Sequence, residues 1–461
     1  MNKEFDEKIV LERIKPKPEE YKLVFSVYEE VRQVLVEYLE KEDVNVAVTL
    51  QGSVAKDTWL SGEVDLDVFV LFPENTTKEW IKDKGIQLLE KALEKYSPVK
   101  AYAEHPYLRI SSRGVNIDVV PAIMHNKPEN ARTAVDRTPF HTQYINSKLT
   151  NQLRDEVRIF KQFLRAMNIY GAEIKVRGFS GYLAELLIIY FGSFKEVLKV
   201  AARWRPPVVI DIENHYAGSF KEVLKRFHGQ PLIVIDPVDP RRNVAASVST
   251  HSLATLSIAA KLYLEKSSIH YFYPPGITEY CDADRLDKVA VIRYEHENIV
   301  DDVLWGELRR LTSRIKQKLE ELEFKVRYAK PYRVSDNSSI ILVEVEMPVL
   351  DNYKIITGPP WYLHENSIKF VQKHVKDPAG PYIGDDGRIY SLKLRQYIDV
   401  CSALKRVVKL YGDTSHLHSD SAEIACGEQV ASMVDKECLM DFICRKPAWL
   451  RAYMATISSE K

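Results

Sequence analysis

Residues 50–72 read LQGSVAKDTWLSGEVDLDVFVLF. The second half of this stretch is an apolar run broken only by Asp65 and Asp67, and it ends on VFVLF. On a strand, residues i and i+2 point to one face, so Asp65 and Asp67 project together while Leu66 and Val68 face the other way. Two carboxylates held that close repel unless a cation neutralises them. A hard divalent ion such as Mg²⁺ takes oxygen ligands and keeps its remaining positions for water and substrate phosphate. For D-x-D by itself, a solvated face of an edge strand is the competing explanation. Gly52 and Ser53 make that competitor weaker. They follow a β-branched run over 44–50, where a glycine lets backbone approach phosphate closely and a following helix start offers free N–H groups to an anion. A third carboxylate, Asp118, lies in VNIDVVPA (115–122) between apolar Ile117 and Val119. A strand beside the first brings it to the same ions. Two ions about 3.5–4 Å apart, held by three carboxylates, suit an in-line displacement in which a hydroxyl attacks and pyrophosphate leaves.

Outward from this stretch, residues 19–42 repeat apolar positions at helical spacing behind Pro16 and Pro18, and residues 78–96 read as an amphipathic helix. Further strands are predicted near 101–110 and over 115–120. Together these elements describe one antiparallel or mixed sheet carrying helices. From Asn151 the pattern is mostly helical, and the composition shift marks a domain boundary. The octapeptide GSFKEVLK occurs at 192–199 and again at 218–225, each copy with S-x-x-E, the arrangement that caps a helix start. Two short strands, VVIDI and LIVIDPV, precede DPRRN. Beyond residue 260 the chain reads as a strand at 288–296, a charged helix at 301–324 and two strands within 325–347. A loop-rich stretch at 349–388 containing GPPW and PAGPYIGDDGR follows, and then two helices from about 399 and 419.

The chain has 461 residues, with 65 Lys+Arg against 65 Asp+Glu, 45% hydrophobic and 28% charged residues. That composition excludes disorder, and the length suits about three domains. No stretch of 18 apolar residues exists and the N-terminus carries no hydrophobic signal core, so no membrane partner is expected and a cytoplasmic location is. The five cysteines are odd in number and never spaced C-x-x-C, which indicates neither a disulfide framework nor a zinc ribbon. Charge is uneven: residues 1–150 carry a net −4, residues 151–260 a net +5 and the remainder −1. A polyanion is therefore sought first on the middle third.

The order G-S, a dozen residues, D-h-D-h, then a later h-D-h resembles the nucleotidyltransferase superfamily that includes polymerase beta-like enzymes. A closer resemblance runs through GSVAKDTWLSGEVDLDVFVLFP, DRTPFHTQYI, IYGAEIKVRGFSGYLAELLI and IDPVDPRRNVAAS. In this order they are similar to the archaeal-type (class I) CCA-adding enzymes, tRNA nucleotidyltransferases. The resemblance is strong over about residues 40–260. It implies an α+β multidomain fold. Its parts are a catalytic head over 1–150 with a mixed sheet and helices, a helical neck over 151–258, an α/β body over 259–324 and 396–461, and a tRNA-binding tail over 325–395.

By the same resemblance Asp65, Asp67 and Asp118 hold two Mg²⁺ ions. Gly52, Ser53 and Lys56 match the phosphate-contacting loop, Thr138 and His141 match a TPFH element, Lys161 and Tyr170 match nucleotide contacts on the neck, and Arg242 matches an arginine that reads the incoming base. Position 56 is often arginine in such enzymes; lysine keeps the charge and loses the planar fork. The implied reaction adds C, C and A to the 3′ end of tRNA from CTP and ATP, with the acceptor and T arm as the RNA partner. A homodimer is one assembly the resemblance allows. Tyr328, Tyr332, Arg333 and the GPPW loop are candidates for gripping tRNA.

The residues alone leave alternatives open. Pro139 at a first helical position would start a helix just before His141, making His141 a surface or capping residue. Lys161 also suits a solvated helix face, Tyr170 suits packing, and Arg241 and Arg242 suit a loop ion pair. Rival readings are a poly(A) polymerase, an oligoadenylate synthetase, and a non-catalytic RNA-binding protein on the same fold.

Overall fold

The computed structural model describes residues 5–102, 106–131, 133–277 and 285–458. It divides into two compact units, one of residues 1–275 with 447–461 and one of residues 276–446. Cys281 lies outside the described residues.

The first unit begins with the helix Pro18–Lys41, which buries Val24, Val27, Val31, Leu35 and Leu39 at the 3–4 spacing of one apolar stripe. That stripe packs on a five-stranded sheet of order β1-β2-β5-β4-β3. The strands are β1 (Ala47–Gln51), β2 (Asp65–Phe72), β3 (Val99–Tyr102), β4 (Pro106–Ser112) and β5 (Val115–Ile123). Only β2 and β5 pair in parallel; the other three pairings are antiparallel, so the sheet is mixed. The helix expected over 78–96 is broken into Lys78–Trp80, a wider π turn at Ile81–Gly85, Ile86–Ala92 and a 3₁₀ turn at Glu94–Tyr96. The π turn brings Ile81 and Ile86, five apart, into the same core, at 5% and 2% exposure.

The helices Ala134–Lys148, Asn151–Ala166, Gly181–Phe191, Phe194–Ala201 and Thr250–Glu265 follow, with a two-stranded parallel ribbon of β6 (Val208–Asp211) and β7 (Leu232–Ile235). Their core is aromatic, with Phe163, Phe194, Tyr263, Tyr271 and Phe272 in mutual contact. The C-terminal helix Ala448–Ser458 returns to this core, so the body segment expected at 396–461 loses its last helix to the first unit. Of the two S-x-x-E repeats, only Ser193 caps, accepting from the Glu196 amide at 3.2 Å. Ser219 makes no side-chain cap.

The second unit holds an antiparallel sheet of order β14-β8-β10-β9, formed by β8 (Val289–Glu295), β9 (Val326–Ser335), β10 (Ser338–Val345) and β14 (Ala422–Cys426). Every residue of β10 is buried. One face is covered by the helices Asp301–Glu321 and Val400–Tyr411, the other by Lys436–Cys444. Residues 349–388 are less irregular than expected. They contain β11 (Tyr353–Pro360), the helix His364–His374 and β12 (Ala379–Ile383), and β11 and β12 flank β13 (Arg388–Leu394). Pro359, Pro360 and Pro381 sit on the edge strands β11 and β12, where a missing N–H costs no ladder bond, and Pro378 lies just before β12. A strand, not a helix, follows residue 419, because Ala422–Cys426 pairs with β8.

Tyr328 and Tyr332 pack with Phe442, and the Tyr332 hydroxyl donates to Asp441 at 2.8 Å. Arg333 is engaged by Asp301 and Asp336. In the GPPW loop, Trp361 and the adjacent Tyr362 stand more than half exposed.

Cys401 and Cys426 form a disulfide, contrary to the reading of the cysteines by number. Their 25-residue separation carries no motif, and the pairing arises because the start of the Val400–Tyr411 helix lies against β14. Closing a loop of that length stabilises by about 3 kcal/mol. Cys401→Ser should therefore lower the unfolding free energy of the second unit by about that amount in urea titrations, and an unchanged midpoint would count against a structural role.

Candidate active site

The backbone register assembles the carboxylates. Gln51 pairs opposite Asp67 across β1 and β2, and Asp67 pairs with Asp118 across the parallel β2 and β5. Leu66 and Val68 are buried while Asp65 is exposed and Asp67 half-buried, so the two carboxylates do share the face the alternation predicts. Burial pushes the Asp67 carboxyl up to about 6, and the negative charges of Asp118 and Asp65 add to that; Lys56 opposes it. A group whose charged form is so disfavoured, beside two more carboxylates, is a donor set that gains from a hard divalent cation. Asp118 is meanwhile held by Arg109, its antiparallel neighbour on β4, through Nε to Oδ1 at 2.8 Å and Nη2 to Oδ2 at 3.0 Å. Among the described residues no three His, Cys, Asp or Glu side chains converge on one point as they stand. The register brings Asp65, Asp67 and Asp118 to one face of the sheet, where Arg109 holds the Asp118 carboxylate.

Gly52 follows β1 directly with φ +67°, and a Cβ there would lie 1.7 Å from the Asp67 Oδ2. Only glycine accepts both the backbone angle and the carboxylate. Ser53 lies in the single helical turn Gly52–Ala55 that this glycine starts. Gly52→Ala should displace Asp67, costing about 1–3 kcal/mol of stability and on the order of 10²-fold in nucleotide incorporation. Single-turnover incorporation near the wild-type rate would show that the close approach is dispensable.

The loop after Gly52 is gripped by one face of the Asn151–Ala166 helix. Arg154 Nε donates to the Lys56 carbonyl at 3.0 Å, and Arg158 donates to the carbonyls of Asp57 at 2.7 Å and Trp59 at 3.1 Å. Lys161 Nζ donates to the Thr58 carbonyl at 3.1 Å and hydroxyl at 2.9 Å. Positions 154, 158 and 161 lie on one helical face; Arg158 and Lys161, three apart, are buried in a stripe that apolar residues would ordinarily fill, while Arg154 is half-buried one turn before them. That spacing was visible in EVRIFKQF and is the signal for Arg158, which the sequence reading did not select.

Lys161 is buried, not on a solvated face. It shares Glu185 with Lys56: Lys161 Nζ lies 3.0 Å from Oε1, Lys56 Nζ 2.6 Å from Oε2, and the Thr58 hydroxyl donates to Oε1 at 2.6 Å. Burial opposes ionisation of Glu185, but the two ammonium groups hold it down to about 2. Tyr170 joins Lys161 at one end of this helix pair, since a Cβ at Gly181 would lie 3.0 Å from the Tyr170 hydroxyl and 3.6 Å from Lys161 Nζ. Burial pushes the Tyr170 hydroxyl up to about 12, which keeps it a neutral donor.

His141 does not stand near a helix start. The helix begins at Ala134, capped by Thr133 accepting from the Asp136 amide, and Pro139 lies inside it, leaving one carbonyl without its usual donor. Thr138 sits on the same helix, one turn before His141. Burial lowers the His141 imidazole, and its Nε2 donates to Asp236 Oδ2 at 3.0 Å while its ring stacks on Tyr182 at 4.3 Å. Arg241 and Arg242 are both ion-paired, to Asp239 at 3.0 Å and Asp236 at 2.9 Å. Arg242 also lines a cavity of about 570 Å³ with Arg137, Asp239, Arg241 and Asn243. The sequence reading missed Tyr182, Glu185 and Asp236. Glu185 was detectable as the one charge in the helix GYLAELLIIYF, and Asp236 as the charge closing the strand LIVI.

A glycine turn against a carboxylate, with a second carboxylate two residues before it on the same strand and a third opposite it on the parallel neighbour strand, defines a nucleotidyltransferase head. Residues 31–141 match the nucleotidyltransferase domain, residues 155–273 the second domain of tRNA nucleotidyltransferase, and residues 285–433 the C-terminal domain of the CCA-adding enzyme. The CCA-adding enzyme of Sulfurisphaera tokodaii is 38% identical over 96% of this chain and 99% of its own length. That of Saccharolobus islandicus is 35% identical over 96% and 100%, and that of Sulfolobus acidocaldarius is 34% identical over 96% and 99%. The chain belongs to the CCA-adding enzyme family. Membership carries divalent-metal dependence with it.

Proposed function

We propose that this enzyme adds C, C and A in turn to the 3′ end of immature or damaged tRNA, without a nucleic-acid template, from CTP and ATP. The observation that carries this reading is the pairing of Asp67 with Asp118 beside Gly52, on a chain that aligns over 96% of its length with a CCA-adding enzyme. Asp65, Asp67 and Asp118 would hold two Mg²⁺ ions. When bound, these lower the pKa of the terminal ribose hydroxyl and stabilise the leaving pyrophosphate.

The chain's own groups do the rest. The 3′ oxygen bonds to the α-phosphorus as the bond to pyrophosphate breaks, and the hydroxyl proton is lost to solvent. Gly52 leaves room for the triphosphate beside the Asp67 carboxylate, and Ser53 and Lys56 bind its oxygens. Lys56 does so from a fixed seat on Glu185, which orients a single point charge in place of an arginine fork. His141, Lys161 and Tyr170 contact the nucleotide, and Arg242 presents donors to the base. The net +5 of residues 151–260 favours the RNA backbone. The division into head, neck, body and tail is part of the same reading, with exposed Trp361 and Tyr362 as stacking surfaces for tRNA. No helix among the described residues is long and apolar enough to cross a membrane, and the place we assign is the cytoplasm, where tRNA is processed.

Incubation with tRNA lacking its CCA end tests this directly. CTP alone should give two additions, ATP alone none, and both together three additions and a stop. Continuous addition from ATP alone would instead favour a poly(A) polymerase, and tRNA binding without any incorporation a non-catalytic protein.

A further inference from the structure

Asp236 is fully buried at the end of β7 and accepts four hydrogen bonds. Oδ1 takes the Tyr182 hydroxyl at 3.2 Å and the Val238 amide at 3.0 Å; Oδ2 takes His141 Nε2 at 3.0 Å and Arg242 Nη1 at 2.9 Å. Four donors fill the capacity of one carboxylate. They come from three separate segments: the Ala134–Lys148 helix, the Gly181–Phe191 helix and the loop after β7. The main chain repeats the same closure, because the Asp236 amide donates to the Arg242 carbonyl at 3.1 Å. Arg242 is thus tied to Asp236 at both its backbone and its guanidinium, while its Nε and Nη2 have no partner among the described residues.

We infer that Asp236 is a positioning residue for base selection: it fixes the guanidinium plane of Arg242 so that the free donors face the cavity in one orientation. Resting on the reading of Arg242 given above, the inference adds how its selectivity arises. Cytosine and adenine each present a ring-nitrogen acceptor beside an exocyclic amino group, whereas uracil and guanine present a ring N–H beside a carbonyl. A fixed N–H donor pairs with the first arrangement and opposes the second. A guanidinium free to rotate reaches a uracil carbonyl as well, and loses the distinction. Specificity of this kind depends on a misplaced partner being unable to relax. Burial raises the Asp236 carboxyl, but the hydrogen bond and charge of His141, the Val238 amide and Arg242 together hold it at about 2, so the anchor stays ionised.

The test compares CTP and UTP incorporation by the full-length enzyme on tRNA lacking its CCA end, as kcat and KM for each nucleotide. Asp236→Asn should reduce the CTP-over-UTP preference at least about tenfold, with the KM for CTP changing less than the preference does. Added to Arg242→Ala, it should reduce the preference no further, since both act through one side chain. General destabilisation lowers both nucleotides' kcat/KM alike and leaves their ratio intact. If Asp236→Asn does not fold, Asp236→Glu keeps the charge, displaces the carboxylate by a methylene and should show the same loss. A wild-type ratio in a folded Asp236 variant, with the ratio lost in Arg242→Ala, overturns the inference and leaves the Arg242 reading standing. An unchanged ratio in Arg242→Ala overturns both.

Discussion

Asp118→Ala enzyme should incorporate nucleotide at least on the order of 10³-fold more slowly than wild type, with little change in folding. Metal-assisted stabilisation of a displacement is worth several kcal/mol, and each 1.36 kcal/mol is tenfold in rate. Asp118 is the best candidate to serve the attacking hydroxyl, because it stands opposite Asp67 in the register and is the carboxylate that Arg109 holds. Its removal also releases the Arg109 guanidinium next to the remaining pair, which disfavours a cation there further. Near wild-type addition by folded Asp118→Ala protein would remove the carboxylate assignment.

The same three residues make a pH signature in the metal-free protein. Asp67 has a folded-state value of about 6 against 3.8 for the free group, because of burial first and Asp118 second. Below pH 3.8 both states are protonated and no penalty exists; between there and about pH 6 the unfolded chain ionises freely while the folded state still holds its proton against burial, and above about 6 both are ionised and the loss is complete. Stability should therefore fall between about pH 4 and pH 6 by on the order of 3 kcal/mol and level off above that, and Mg²⁺ should restore it. Asp118→Ala should shrink that fall. Thermal melts at pH 5 and pH 7.5, with and without Mg²⁺, measure all three changes, and a melting point independent of pH would contradict the burial of Asp67.

The carboxylates were legible because strand alternation is a local property: the period of two fixes which side chains share a face, and Asp118 needed only a neighbouring strand. Gly52 was legible as a special position but not for its reason, since the Asp67 oxygen it admits arrives through tertiary pairing. The roles proposed for Lys56, Lys161, His141 and Arg242 come only from family resemblance. Their immediate partners are Glu185, 129 residues from Lys56, and Asp236, 95 residues from His141. No local pattern encodes such a distance. Pro139 misled because proline favours first helical turns, yet Thr133 caps the helix five residues earlier than that preference implies. The prolines of 349–388 misled in the same way, since sequence does not say which strands are edges.

Glu185→Gln should be the most destabilising single change in the first unit outside the apolar core. Glu185 is fully buried and neutralises Lys56 and Lys161, both nearly buried themselves. Glutamine preserves shape and can still accept from Thr58, but it leaves two ammonium groups in a low-dielectric site with no anion. Breaking a buried pair in this way costs about 3–5 kcal/mol, which for a unit of this size lowers the melting temperature by roughly 10 °C. Because the folded value of about 2 lies below the 4.5 of the free group, this contribution is present above pH 4.5 and lost as pH falls through 2. The variant should therefore differ from wild type at pH 7 and converge on it in acid. Adding Lys161→Met to Glu185→Gln removes one stranded cation and should recover part of the loss in melting temperature. It should not recover activity, because on the proposed reading Lys161 contacts the nucleotide, and Lys56 has lost its Glu185 seat. Recovery of stability and of rate together would mean that Glu185 only balances charge and does not hold Lys56 where the triphosphate needs it.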